Sequence, residues 1–298
     1  MKKVLVTGFG FIGSHIVDEL HARGITAVVF DRYQHHEPYL ETDSPYNFML
    51  GDIRDRNAVS EAVGMVDGAI NLAGILGTSE TVDNPFPSVE TNIMGGLNFL
   101  EACRKHGKRG VQIAVGNHFM NNSYAISKTT VERFALMYNK EHGTKIAVVR
   151  GLNAYGERQK HKPVRKITPN FITRALRGEP IKIYGNGNSI MDMVYVKDLA
   201  KILVEALVNP DTKYDKIYSA GTGVKTTVND IAEVVNRLTD NKAGVEHTPM
   251  RPGEEEDSIV LGDPATLSEL GITHLTGLEE GMAKTVAWYK ESYPWRQD

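Results

Sequence analysis

Short apolar runs alternate with stretches of helical period along the first half of the chain. Residues 3–7 (KVLVT) suit a buried parallel strand, because such strands carry near-continuous apolar side chains. After the glycines of GFGFIG, Ile12, Ile16, Val17 and Leu20 recur at the spacing of one helix face, with Gly24 as a stop. Residues 25–31 (ITAVVFD), 47–50 (NFML), 68–72 (GAINL) and 111–115 (VQIAV) read as further strands, and helices are expected over about 87–106 and 124–143. Strands alternating with helices predict an α/β fold, a Rossmann-type doubly wound parallel sheet. Beyond about residue 150 the alternation becomes irregular. The reading is a dinucleotide-binding domain over 1–150 and a smaller C-terminal α/β substrate-binding domain over 151–298, with segments near 190–225 returning to the sheet. Thr226-Thr227 is a candidate helix N-cap, and residues 276–293 read as a terminal amphipathic helix.

Composition narrows the function. A net charge of −3 gives no general pull toward nucleic acid or membrane, and no 18-residue apolar run marks a membrane span. The single Cys103 excludes an internal disulfide or a thiolate metal cage, and no metal is expected. The start MKKVLVTG lacks the apolar stretch and cleavage site of a signal peptide, so a cytoplasmic location is the expectation.

The first strand, the glycine loop, a helix and a second strand ending in Asp31 form one βαβ unit. Gly8, Gly10, Phe11, Ile12 and Gly13 would carry a pyrophosphate on backbone N–H groups at a helix N-terminus, and Asp31 would bind ribose hydroxyls. A bare GxGxxG also serves as a plain turn; the surrounding unit and the acid 18 residues after Gly13 favour the cofactor reading. Asp31 selects NAD, since a carboxylate repels the 2′-phosphate of NADP, while neighbouring Arg32 dissents or simply faces solvent. Asp52, followed by Ile53, fits either an adenine-edge contact or a capping carboxylate. Leu72, Ala73 and Gly74 end a strand on small residues that let backbone lie against a cofactor.

Tyr124 and Lys128 stand at i and i+4 on one helix face. A tyrosine is a poor base at neutral pH, and an ammonium beside it together with a cationic nicotinamide favours the phenolate. The pair is common on helices by chance; the upstream fingerprint makes it a candidate acid/base site.

Taken together, Thr7–Gly13, Asp31, Gly51-Asp52, Asn71–Gly74, Thr91-Asn92, Tyr124/Lys128, Asn153–Gly156, Pro169–Phe171, Tyr184–Asp198 and Arg251–Gly253 resemble the extended short-chain dehydrogenase/reductases of the NAD-dependent sugar-nucleotide epimerase/dehydratase family. The likeness runs over nearly the whole chain. It implies NAD as cofactor, a nucleotide-diphosphate sugar as substrate, Asn153 and Arg251 as diphosphate contacts, and a homodimer joined through the helices near 87–106 and 124–143. Arg251 also fits a surface pair with the Glu254–Glu256 run.

Two departures stand out. The family places a Ser or Thr just after the fifth strand, whereas this chain has Gly116-Asn117-His118-Phe119 and no hydroxyl before Ser123. Asn117, as amide donor, and His118, as proton relay, are the candidate replacements, and either could be a turn residue. No carboxylate occupies 116–122, which disfavours a dehydratase that needs a second acid/base there. The usual phosphate-binding Arg before Asp192 is Met191; the basic run Arg158, Lys160, His161, Lys162, Arg165, Lys166 could compensate, with Arg158 a substrate-contact candidate. These readings converge on a nucleotide-sugar epimerase acting by transient C4 oxidation. The alternatives are a dehydratase or reductase of the same family, or a non-catalytic dinucleotide sensor.

Overall fold

The computed structural model describes residues 1–33, 42 and 44–291. Its elements run β1 (Lys3–Thr7), α1 (Phe11–Ala22), β2 (Thr26–Asp31), β3 (Tyr46–Leu50), α2 (Arg56–Gly64), β4 (Gly68–Asn71), α3 (Phe86–Ser88), α4 (Gly95–His106), β5 (Arg109–Val115), α5 (Ser123–His142) and β6 (Lys145–Gly151). Then come β7 (Asn153–Tyr155), α6 (Ile167–Leu176), β8 (Ile181–Tyr184), β9 (Ile190–Met191), β10 (Met193–Tyr195), α7 (Val196–Val208) and β11 (Ile217–Ala220). The chain continues with β12 (Thr226–Thr227), α8 (Val228–Thr239), β13 (Val245–Thr248), β14 (Ile259–Val260) and α9 (Leu278–Glu291). The last residues of the expected terminal helix, Ser292 and Tyr293, lie outside the described residues.

A seven-stranded sheet in the order β11-β6-β5-β4-β1-β2-β3 is parallel throughout. Successive side chains of a strand point to opposite faces, so β1 feeds two cores. Val4 and Val6 join Ile16, Val17 and Leu20 of α1 and Leu203 of α7, while Leu5 joins Val59 and Val63 of α2, Phe99 and Cys103 of α4 and Val131 of α5. Two covered faces explain why the strands read as apolar runs rather than as alternation. A third cluster around Tyr155, Phe171, Ile172, Ile183, Ile231, Val235, Met282 and Tyr289 is the core of the C-terminal part. Small sheets pair β7 with β10, β8 with β13, and β12 with β9 and β14.

The chain is helical without a break from Phe86 to His106, as expected over 87–106, but the helix is not uniform. Between α3 and α4, Val89–Met94 takes the wider π turn. One surplus residue per turn rotates Thr91 and Asn92 inward, where both are buried, a displacement that apolar period cannot signal.

At the carboxyl ends of the central strands a buried polar chain replaces hydrocarbon. Thr7 Oγ1 donates to Asn71 Oδ1 (2.6 Å), Asn71 Nδ2 donates to Gln112 Oε1 (2.8 Å), and Gln112 Nε2 donates to the Ile113 carbonyl (2.9 Å). Each member is satisfied, as burial demands, and the ends of β1 and β4 are locked to the middle of β5 beside the edge where a doubly wound sheet binds its ligand.

Candidate active site

The glycine loop divides its labour by packing. A Cβ on Gly13 would lie 2.3 Å from the Gly8 carbonyl oxygen, so this position holds the turn closed. Gly8, at φ +85°, lies so close to the strand end after β4 that a Cβ there would stand 3.0 Å from the Ala73 nitrogen. A Cβ on Gly10 would meet nothing within 4 Å; its backbone faces open space at the start of α1. Among the described residues no side chain caps that helix, and its first turn holds no acid, so its N–H groups are available to an anion. Asp31 at the end of β2 accepts the Phe9 N–H at 2.6 Å and the Arg32 N–H at 2.6 Å. Arg32 is exposed and stacks on Tyr33 at 5.4 Å. Asp52 takes the Arg54 guanidinium through Oδ2 at 2.7 Å, while Ile53 is buried against Gly95. This cradle, open at Gly10 and acid-ended at Asp31, fits a dinucleotide.

Tyr124 and Lys128 lie in the first turns of α5, and three contacts fix that helix end. Asn122 is the N-cap, accepting the Ala125 N–H at 2.9 Å, and its amide donates to the Gly253 carbonyl at 3.2 Å. Ser123 Oγ donates to the Thr81 carbonyl at 3.0 Å, so it is a tether to the 77–81 loop. Further along, Glu132 accepts Arg150 of β6 at 2.8 and 2.7 Å, pinning α5 to the sheet. Asn92 completes the frame: its amide donates to Ser127 Oγ (2.9 Å) and the Ile75 carbonyl (3.1 Å), and its oxygen accepts the Ile75 N–H (2.7 Å). Lys128 is buried, its ammonium directed to Gly74, where a Cβ would stand 3.8 Å from Nζ.

Burial dominates the electrostatics of the pair. It pushes the Tyr124 phenol up to about 12 and draws the Lys128 ammonium down to about 8. Within the protein alone each group is therefore driven toward neutrality, and the proximity of Lys128 does not by itself produce a phenolate. The balance rests on the cationic ring that the cradle receives.

Facing the pair is a charged cluster drawn from four distant segments. Arg251 ion-pairs with Glu254, approaches Glu80 at 3.9 Å and stacks over Tyr184 at 5.0 Å. Arg165 donates its N–H to Glu80 (3.1 Å) and Nη1 to the Tyr184 hydroxyl (2.8 Å). Lys166 sits 5.9 Å from the centroid of the Tyr124 ring. Glu80, Tyr184, Asn122 and Lys166 were not singled out individually from the sequence; Glu80 had only a weak signal, an acid in the loop that follows the Ala73-Gly74 strand end.

The other residues expected at the site distribute unevenly. Asn153 lies on β7, its amide donating to the Asp192 carbonyl at 3.2 Å. Asn117, half-buried in the turn after β5, directs its amide to Met120 Sδ at 3.5 Å. His118 is exposed and folds back on the Gly116 carbonyl at 3.0 Å. Arg158 pairs at 2.7 Å with Asp18 of α1, which gives its guanidinium a structural partner. Of the basic run, Arg165 and Lys166 are the residues found in the charged cluster. Met191 is half-buried on β9 and packs against the C-terminal core.

A parallel sheet with a glycine cradle at its carboxyl edge and a Tyr–Lys pair beside it, the tyrosine half-buried and the lysine buried, defines a nicotinamide-dependent enzyme of the extended short-chain dehydrogenase/reductase class. The chain belongs to the NAD dependent epimerase/dehydratase family, whose model matches residues 4–221, and its cofactor is NAD. It is 29% identical to a UDP-N-acetyl-alpha-D-glucosaminuronate decarboxylase of Bacillus cytotoxicus, over 97% of this chain and 98% of that protein. It is 27% identical to a dTDP-glucose 4,6-dehydratase of Streptomyces niveus, over 98% and 94%. The crystal structure of the UDP-glucose 4-epimerase of Thermus thermophilus in complex with NAD matches with a TM-score of 0.85 at 29% identity, covering 97% of this chain and 99% of that one. Epimerases, dehydratases and decarboxylases of nucleotide sugars thus surround it, and it is an enzyme of that group.

Proposed function

We propose that the chain is a nucleotide-sugar epimerase acting at C4. The observation that carries this reading is the combination of the half-buried Tyr124 beside the buried Lys128 with a 116–122 segment free of carboxylates. Gly8, Gly10, Phe11, Ile12, Gly13, Asp31, Arg32, Asp52, Ile53, Leu72, Ala73 and Gly74 would hold NAD, with Tyr124 and Lys128 at its nicotinamide end. Bound there, NAD supplies the hydride acceptor and donor. Tyr124 takes the proton of the C4 hydroxyl as that carbon is oxidised and returns it once the sugar has turned its other face. Lys128 holds the ribose and, with the cationic ring, offsets the burial that keeps Tyr124 protonated. Asn117 is the donor to the substrate oxygen, with His118 the second candidate, and Asn153 and Arg251 hold the diphosphate. On the substrate, Arg251 exchanges part of its pairing with Glu254 for phosphate, a geometry its bidentate fork suits. A homodimer fits the exposed Ile126 and Met137, eleven residues apart on one face of α5, and the exposed Met94 on the preceding helical segment.

Glu80, a member of the charged cluster, supports a second reading as a dehydratase, since it brings a carboxylate to the site by another route. Turnover of a nucleotide-sugar panel, followed by NMR and product mass, separates the two. An epimer of unchanged mass supports the first reading, and loss of water overturns it in favour of the second. Tyr124→Phe should lower kcat by about 10³ while NAD affinity holds, because the phenol transfers a proton and the cradle does not depend on it. Retained turnover would refute the role of Tyr124, and a wild type that binds NAD without converting any nucleotide sugar would support a dinucleotide sensor.

A further inference from the structure

The cations of the cluster separate into two groups. Arg165 and Arg251 both engage Tyr184, one through its hydroxyl and the other over its ring. Their neighbouring acids are committed: Glu80 to Arg165 and Arg251, Glu254 to Arg251 and Thr78. Lys166 stands apart. It is the last residue before α6, in extended backbone at φ −94° and ψ 143°, and its Nζ lies 5.9 Å from the Tyr124 ring centroid. Among the described residues its ammonium makes no ion pair and no hydrogen bond, although Glu80 and Glu254 attract it from a distance and Arg251 repels it. Burial opposes its charge. A half-buried ammonium whose direct contact is the face of one aromatic ring still lacks an anion, which the occupied site can supply.

The position of that anion follows from sugar geometry. The reacting C4 hydroxyl must reach the Tyr124 phenol. The diphosphate leaves from C1, across the pyranose ring, and C6 is borne on C5, next to C4. The Tyr184 pair therefore suits the diphosphate end, and a cation beside Tyr124 faces the end that carries C4 and C6. We infer that Lys166 is a specificity residue that pairs with a carboxylate at C6, so that the substrate is a nucleotide-linked uronic acid rather than a neutral hexose. This rests on the nucleotide-sugar reading given above. The carboxylate would gain a charge-assisted hydrogen bond that a hydroxymethyl group cannot match.

The test is calorimetric titration of the NAD-loaded protein with matched pairs, UDP-glucuronate against UDP-glucose and the galacto pair likewise, repeated on the thymidine diphosphate series. The wild type should bind the uronate at least tenfold tighter than its hexose. Lys166→Gln should reduce that preference by about tenfold or more, and Lys166→Arg should keep most of it. Equal affinity for uronate and hexose overturns the inference and leaves the nucleotide-sugar reading standing. So does a Lys166→Gln variant that weakens both ligands alike, which would assign the ammonium to the diphosphate or to Tyr124. If no ligand of any pair binds, the nucleotide-sugar reading fails and the inference fails with it.

Discussion

Asp192, fully buried between β9 and β10, offers the sharpest test of how the C-terminal part presents its half of the site. One carboxylate oxygen accepts the Thr222 N–H and the Thr222 hydroxyl, both at 2.7 Å, and the other accepts the N–H groups of Gly223 (2.8 Å) and Gly262 (2.9 Å). Four donors from two loops thus converge on one anion, while its backbone carbonyl receives the Asn153 N–H (3.1 Å) and side-chain amide (3.2 Å). In Asp192→Asn one oxygen becomes an amide NH₂ and can no longer accept. The less costly orientation turns the NH₂ toward Thr222, whose hydroxyl can rotate to accept it, leaving the Thr222 N–H orphaned. That orphan costs about 1–3 kcal/mol, and two charge-assisted bonds fall to neutral strength for roughly 1 kcal/mol each. The expected loss is about 3–5 kcal/mol, or roughly 5–8 °C in Tm for a chain of this length. Thermal scans and urea titrations of the two proteins at one pH measure it. A Tm within about 1 °C of wild type would refute the reasoning, since it would mean that the two loops do not depend on the anion. Because Asn153 hangs on the same residue, nucleotide-sugar affinity should fall in the variant as well.

The glycine loop gives a paired prediction. Gly13→Ala drives a Cβ to 2.3 Å from the Gly8 carbonyl and should lower both Tm and NAD affinity; Gly10→Ala meets open space and should fold as wild type yet bind NAD at least tenfold more weakly by titration calorimetry. Equal Tm losses in the two variants would contradict that division. The depressed Lys128 predicts a pH dependence. Its folded pKa of about 8 lies below the unfolded value near 10.4, so between about pH 8 and 10 the unfolded chain binds the extra proton and this group makes stability rise with pH. Above pH 10 the raised Tyr124 acts in the opposite sense, because the unfolded chain loses its phenolic proton first. Chemical denaturation of wild type and Lys128→Met across about pH 7 to 10 should show the wild type gaining relative to the variant as pH rises, and a constant difference would count against a buried, unpaired ammonium.

The parallel sheet, its two layers of helix and the NAD loop were legible in the residues because they rest on local regularities. Strand runs such as 3–7 and 111–115 are apolar for reasons of burial on both faces, Gly8 and Gly13 are glycines for reasons of contact within a few ångströms, and Tyr124 and Lys128 meet through helical period alone. The widening of the helix at Val89–Met94 was not legible, since a π turn keeps the same apolar composition and merely shifts which residue faces inward.

What the sequence determined by itself was therefore the cofactor half of the molecule, whose parts are set by spacing along one βαβ unit and one helix. The substrate half was decided by the tertiary structure. Glu80, Lys166, Tyr184 and Arg251 are separated by tens of residues and share no period, so their meeting depends on how α6, β8 and the 251–254 loop pack over the end of α5. The basic run shows this most plainly: as a string it was one block of charge, yet packing gave Arg158 to Asp18, Arg165 to Tyr184 and Lys166 to the face of Tyr124. Charge is read from residue type, but its address is set by the long-range contacts that desolvate it, and those exist only in the folded chain.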